Sequence, residues 1–135
     1  MITNTPRSDY MLLFRGTDWH KGLSQESVQT VMNQWYDWFD RLAQEGRATS
    51  GHPLAYEGKV VSGKTGRTVV DGPFMESKEA IGGYFLLNVK DEDEAIEIAK
   101  QCPGLEHGVE VEVRPVVQFC PSGELASLPS EQTAA

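Results

Sequence analysis

A chain of 135 residues with 39% hydrophobic and 24% charged residues predicts one soluble globular domain, since typical domains hold roughly 100–150 residues. No apolar run approaches the ~20 residues of a membrane-spanning helix, and the first residues lack the basic and apolar regions of a secretory signal. The net charge of −8 argues against general attraction to nucleic acid. The two cysteines, Cys102 and Cys120, lie far apart without ligand spacing, so we expect no disulfide scaffold, no structural zinc site and a reducing, cytoplasmic setting.

The first half of the chain predicts a buried strand followed by a long helix. The apolar run Tyr10–Arg15 indicates a strand that is buried on both faces and central in its sheet. Ser24 is the expected N-cap of the helix and Gly46 its expected C-cap. Apolar residues recur on one face of this helix at spacings of three and four: Val28, Val31, Met32, Trp35, Trp38, Phe39 and Leu42. An aromatic stripe of this kind is typical of a core or a dimer interface, although it could also line an apolar ligand pocket.

The remainder of the chain predicts five further strands and one helix. The strands are expected at 48–56, 59–61, 68–70 and 84–89, with a turn at 63–66, and the helix runs from Asp91 to about Gln101. The alternation of Val109, Val111 and Val113 with charged residues then indicates a half-exposed strand. The acidic run 91–94 is typical of a solvated helix N-terminus, so we assign no metal site there.

These elements together predict an α+β fold of the ferredoxin-like, split βαβ type, in which two helices cover one face of a mainly antiparallel sheet. The domain is expected to span 9–119, with an N-terminal extension at 1–8 and a polar C-terminal tail at 120–135. Because the apolar strands leave side chains on both sheet faces and two helices shield one, we expect a homodimer that packs sheet against sheet.

The segment VVDGPFMESKEAIGGYF joins a strand end to a turn that is crowded with charge. Gly72 precedes Pro73, which restricts both residues and predicts a rigid loop. In a polar pocket at this loop, Lys78 would hold an anionic group and Asp71 or Glu76 would move a proton; alternatively, the charges pair with one another in a structural turn.

Other polar residues are weaker candidates for the same pocket. Arg15 and Arg114 lie at strand ends, where a guanidinium could bind an anionic ligand or brace Asp71 or Glu76. His52, in the turn-like GHP, is the histidine best placed to face the pocket as a general base, although a surface or core role is favoured over that one. His20 could close over a pocket from the loop after the first strand. Cys102 is expected to be an inert buried thiol.

Four segments carry a family resemblance: YMLLFRG, GHPL, VVDGPFMESKEAIGGYFLLNV and GVEVEVRPV. Together they resemble the DGPF-domain, YCII-related family from about Asp9 to Val117. The resemblance implies a ferredoxin-like subunit that forms a dimeric α/β barrel with a pocket in each subunit. It also implies a bacterial protein without a cofactor, and a link to extracytoplasmic-function sigma factors, which related segments accompany.

In the better-understood YCII-like branch, a His on the first helix and an Asp before a Pro are proposed as an acid/base pair. This chain has Trp35 or Tyr36 at about the His position and Cys102 at the Asp position. Neither Trp nor Cys can replace an imidazole oriented by a carboxylate, so the resemblance does not carry that mechanism over.

Three hypotheses therefore follow from the sequence. The first is a homodimeric small-molecule-binding protein whose ligand-binding residues are Arg15, His52, Asp71, Glu76 and Lys78, without a metal. The second is a cofactor-free acid/base enzyme that uses His52, Asp71 or Glu76 on a small substrate. The third is an accessory protein of sigma-factor-dependent transcription that acts by protein contact rather than by reading DNA.

Overall fold

In a computed structural model, which describes residues 7–118 and residue 122, the chain forms two α-helices and six strands. The strands are β1 (Ser8–Arg15), β2 (Ala48–Pro53), β3 (Lys59–Ser62), β4 (Thr68–Asp71), β5 (Ile81–Val89) and β6 (Glu110–Pro115). The helices are α1 (Gln25–Gln44) and α2 (Glu92–Ala99). One antiparallel sheet has the order β2-β5-β1-β6, and β3 pairs with β4 in a separate hairpin. This arrangement confirms the predicted α+β, ferredoxin-like fold.

Helix α1 begins and ends where local signals in the sequence place it. The Ser24 side chain accepts a hydrogen bond from the Ser27 N–H at 3.1 Å, as an N-cap does. After the helix, Gly46 has a φ of 75°, which glycine adopts without a steric penalty. The N–H groups of Gly46 and Arg47 donate to the carbonyls of Ala43 and Leu42, the two bonds of a Schellman motif.

The core lies between the four-stranded sheet and the two helices. Leu12 in β1 and Leu87 in β5 are fully buried against Trp38 and Leu42 of α1 and Ile98 of α2. Since side chains alternate along a strand, the intervening residues point away from the helices. We call that other side of the sheet the open face. It carries the half-buried apolar side chains Met11, Leu13, Tyr84 and Leu86.

Strand β1 is central in the sheet, as predicted, because it lies between β5 and β6. Within one chain the face toward the helices is the more deeply buried of the two. Leu12 and Phe14 on that face are buried, whereas Met11 and Leu13 on the open face are half-buried. Full burial of the second face would need a covering partner.

The largest differences from the predicted strand boundaries, three residues each, are in β2 and β5. Strand β2 ends at Pro53 rather than at residue 56, and one further bond to β5 follows it, from the Leu54 N–H to the Gly82 carbonyl at 2.9 Å. Strand β5 begins at Ile81, three residues early, and includes Gly82 and Gly83. A Cβ on Gly83 would lie 3.0 Å from the His52 carbonyl oxygen, so glycine permits this close pairing of β5 with β2.

The predicted extension 1–8 and tail 120–135 lie outside the described residues except for residues 7, 8 and 122, and Ser8 already belongs to β1. Neither α1 nor α2, nor any other helix of the described part of the chain, is long and apolar enough to cross a membrane.

Candidate functional site

A cavity of about 230 Å³ lies between α1 and the sheet, at the end where β1 finishes and β5 begins. We call it the aromatic cavity. Its walls come from α1, from the ends of β1 and β2, from the start of β5 and from the loop after β1. The lining residues are Phe14, Arg15, Gly16, Thr17, Trp19, Met32, Trp35, Tyr36, Phe39, Asp40, Gly51, His52, Pro53, Leu54, Tyr56, Gly82, Gly83, Phe85 and Val109.

Helix α1 contributes one continuous stripe of side chains to the cavity. Met32, Trp35, Tyr36, Phe39 and Asp40 follow one another at spacings of three, one, three and one, which places them on one helix face. An adjacent set on the same helix, Val31, Trp38 and Leu42, is buried. The broad apolar face of α1 is therefore divided between the core and the cavity.

The opposite wall includes Gly51 of β2, which packs closely against the aromatic stripe. A Cβ on Gly51 would lie 2.8 Å from both the Phe39 Cε1 and the Phe85 Cδ1 atoms, which is closer than real Cβ contacts come. Any larger residue at this position would push Phe39 or Phe85 out of place. Gly51 therefore sets how closely the sheet and α1 approach each other at this end.

The aromatic walls are held by ring contacts. The rings of Phe14 and Trp35 meet edge to face with centroids 5.1 Å apart, and Phe39 and Phe85 do so at 4.9 Å. Trp19, from the loop after β1, lies 6.2 Å from Trp35. Such packing favours a wall whose shape is set before a ligand binds.

Few polar groups reach the cavity. Asp40 and the phenols of Tyr36 and Tyr56 belong to exposed residues, so their polar ends lie toward the mouth. The Thr17 hydroxyl is occupied, because it donates a hydrogen bond to the Met75 carbonyl oxygen in the loop from Asp71 to Ala80. That loop, which we call the DGPF loop, is thereby anchored to the cavity wall.

The charged candidates of the DGPF loop do not line the aromatic cavity. Asp71 forms an ion pair with Lys59, and both side chains are exposed. The Glu76 Oε2 atom lies 3.9 Å from Nζ of Lys21, again at the surface. Lys78 is exposed.

The DGPF loop does border a small hollow of about 70 Å³, which is lined by Gly72, Pro73, Met75 and Ala80 of the loop and by Thr17, Ala55, Tyr56, Glu57, Gly58 and Ile81. Asp71, Glu76 and Lys78 are not part of its lining.

Arg15 and His52 do reach the aromatic cavity, but strand alternation directs their side chains to the open face. There Arg15 forms an ion pair with Glu112, whose other oxygen lies 3.4 Å from Nε of Arg114. The bracing partner of Arg15 is thus Glu112 rather than Asp71 or Glu76. The His52 ring lies 5.8 Å from the Tyr84 ring, also on the open face.

The loop after β1 closes one side of the cavity mouth. The His20 ring stacks on Tyr56 at 5.5 Å with an interplanar angle of 7°, and Trp19 lies 6.0 Å from His107. Trp19 and Tyr56 line the cavity, and sequence reasoning did not select either residue. Isolated aromatics in loops carry no periodic signal, whereas the stripe on α1 does.

The positions that correspond to the YCII-like acid/base pair lie in different surroundings. Trp35 and Tyr36 line the aromatic cavity, whereas Cys102 is a buried free thiol. Burial raises the pKa of Cys102 to about 11, despite hydrogen bonds from the Gly104 and Leu105 backbone that favour the thiolate. Cys102 is therefore protonated at neutral pH. Among the described residues, no group of three or more His, Cys, Asp or Glu side chains could hold a metal ion.

The model of the YCII-related domain matches residues 9–120, which is most of the chain. A search of curated proteins found no match.

Proposed function

Because the chain belongs to the YCII-related domain family, we propose that it binds a small, flat and mainly apolar molecule in the aromatic cavity. The observation that carries this proposal is the stripe Met32, Trp35, Tyr36 and Phe39, which forms one wall of an unfilled space of about 230 Å³ between α1 and the sheet. Natural ligand sites are concave and mostly apolar, with a few polar groups that orient the ligand. The cavity has this composition.

The volume supports a ligand of one or two rings. An apolar cavity of about 150 Å³ binds benzene, and drug-sized ligands occupy pockets of roughly 300–1,000 Å³. At about 230 Å³ the aromatic cavity lies between these sizes.

Charge near the mouth favours a neutral or cationic ligand over an anionic one. Asp40 is the carboxylate in the described lining, and the chain as a whole carries a net charge of −8. Trp19, Trp35 and Tyr36 present electron-rich ring faces that attract organic cations. The Arg15 guanidinium is engaged by Glu112 on the open face and does not offset this preference.

Binding of three matched probes tests the proposal: toluene, which is neutral, phenyltrimethylammonium, which is cationic, and benzoate, which is anionic. We expect toluene and phenyltrimethylammonium to change the tryptophan fluorescence, since Trp19 and Trp35 form the walls, with benzoate weaker by about tenfold. Tyr36→Ala should weaken the bound probes by roughly five- to tenfold, because a half-exposed ring contributes about 1 kcal/mol of contact.

Gln34→Ala is the control, because Gln34 is exposed on the same helix and is not part of the lining. If no probe binds at millimolar concentration, or if the two variants bind equally, the cavity is not the ligand site. Tighter binding of benzoate would instead overturn the charge preference alone.

We further propose that the protein is a homodimer formed through the open face. Met11, Leu13, Tyr84 and Leu86 supply an apolar surface there that is half-buried in a single chain. A cytoplasmic location remains part of the proposal, and the reduced, buried Cys102 supports it.

The remaining sequence hypotheses stay predictions. Asp71 and Glu76 form ion pairs with Lys59 and Lys21, respectively. Those two carboxylates would have to leave these partners to form a polar pocket with Lys78. Acid/base catalysis by His52, Asp71 or Glu76 would be detected by activity lost in His52→Ala or Glu76→Gln. A role beside a sigma factor would be detected by co-purification.

A further inference from the structure

The β3–β4 hairpin projects from the domain as an arm. We call residues 59–71 the arm; its two strands and the turn at Lys64–Gly66 make their main contacts with one another. At its base the Gly72 N–H donates to the Gly58 carbonyl at 3.0 Å. An isolated two-stranded hairpin is marginally stable in water, so an arm of this kind gains stability from a surface that covers it.

Both faces of the arm are apolar and exposed. Val60 pairs with Val70 on one face, and Val61 pairs with Val69 on the other. These valines are 39%, 50%, 62% and 59% exposed, respectively. Phe74, three residues after the end of the arm, is 69% exposed. A strand pair with β-branched side chains on both faces is typical of a hairpin that is covered on both sides.

The arm differs in charge from the remaining chain. It contains Lys59, Lys64 and Arg67 and the single carboxylate Asp71, which pairs with Lys59. Outside the arm the chain has nine of its 12 Lys and Arg and 19 of its 20 Asp and Glu, a net charge of −10. Lys64 and Arg67 at the turn have no ion-pair partner among residues 7–118.

We propose that the arm docks on the body of a second copy of this chain. A second copy offers the arm a strongly acidic body, which also exposes apolar side chains outside the open face, among them Leu105, Val116 and Val117. Valines on both faces favour a protein partner. Nucleic acid is disfavoured, because Lys64 and Arg67 belong to a chain whose net charge of −8 repels phosphates. The contact is additional to sheet-against-sheet packing and does not depend on a ligand in the aromatic cavity.

Sedimentation equilibrium of Lys64→Glu/Arg67→Glu tests the electrostatic part. At low salt we expect the dimer dissociation constant of this variant to be about tenfold or more above that of wild type. At 0.5 M salt the ratio of the two constants should fall to about threefold, because salt screens the charges. The control is Lys90→Glu/Lys100→Glu, which changes net charge equally at two exposed positions on the body and should show only the smaller, salt-dependent weakening that general repulsion between more negative subunits causes.

Val61→Thr/Val69→Thr tests the apolar part. Threonine keeps the branched shape and the strand propensity, so the arm should persist while the dissociation constant rises about tenfold. Dissociation constants unchanged in both arm variants, or a wild-type chain that is monomeric at all concentrations, would overturn the proposal. Binding of a random-sequence oligonucleotide that is lost in Lys64→Glu/Arg67→Glu, with an unchanged dimer, would assign the arm to nucleic acid instead.

Discussion

At the scale of single residues, the environment of Cys102 determines its chemistry. The thiol is buried at the start of the turn that follows α2, and its pKa is raised to about 11, chiefly by burial. The sequence predicted an inert thiol from its place at a helix C-terminus, and the structure confirms the burial. For His52 the local sequence was less informative. The GHP motif predicted a turn, whereas β2 continues through His52 and directs its imidazole to the open face.

Cys102 should make stability fall at alkaline pH. The unfolded thiol titrates near 9.0 and the folded one near 11, so the unfolded chain loses its proton first. Stability attributable to this group is thus complete below about pH 9 and is lost as the pH rises to 11, by about 2–3 kcal/mol. Urea unfolding of wild type and Cys102→Ala between pH 8 and 11 measures the loss. Parallel pH profiles in the two proteins would show that Cys102 does not titrate in this way.

At the scale of elements, α2 is fixed at its N-terminus by two reciprocal hydrogen bonds. The Asp91 Oδ1 atom accepts from the Glu94 N–H at 2.9 Å, and the Glu94 Oε1 atom accepts from the Lys90 N–H at 2.9 Å. The second bond, aided by Arg47, lowers the pKa of Glu94. This resembles a capping box, with the return bond one residue earlier than usual. The acidic run 91–94 is therefore a helix start, as the sequence indicated.

Asp91→Ala should lower the free energy of unfolding by about 1 kcal/mol, because the Glu94 N–H loses its acceptor. Asp93→Ala is the matched control, since it removes the same charge from the same exposed turn without removing the cap. We expect the control to cost only a few tenths of a kcal/mol through the helix dipole. Equal losses in urea unfolding would mean that charge, rather than the cap bond, stabilises this terminus.

Helix ends and the hairpin were predictable because their signals are local. Ser24, Gly46 and Asp91 act on backbone groups within a few residues, and a sequence displays such pairs directly. The aromatic cavity was not predictable in this way. It depends on Gly51, which lies opposite Phe39 only after β2 has paired with β5 and packed on α1. The aromatic stripe on α1 can be recognised in the sequence. Whether side chains or a cavity lie opposite the stripe depends on residues that are distant in the chain.

At the scale of the whole molecule, the sheet has one covered side and one open face, and the two differ in composition. The covered side holds the fully buried Leu12 and Leu87, whereas the open face combines apolar Met11, Leu13 and Leu86 with the Arg15–Glu112 ion pair. An apolar centre with charged residues beside it is typical of a protein interface. This composition supports the homodimer that the sequence predicted.

Leu86→Lys should weaken that dimer by about 100-fold or more, because it would bury an unpaired ammonium between two sheets. Lysine lowers the net negative charge of the chain, so dissociation could not be attributed to increased repulsion between subunits. Gln34→Lys, on the exposed side of α1, is the control, and sedimentation equilibrium measures both variants.

The salt dependence separates the two proposed contacts. An apolar sheet interface loses little affinity as salt rises, whereas a contribution from Lys64 and Arg67 is screened. Leu86→Lys should therefore weaken the dimer at every salt concentration, in contrast to the arm variants with reversed charge. A Leu86→Lys protein that stays dimeric would show that the open face is not the interface and that the arm alone joins the subunits.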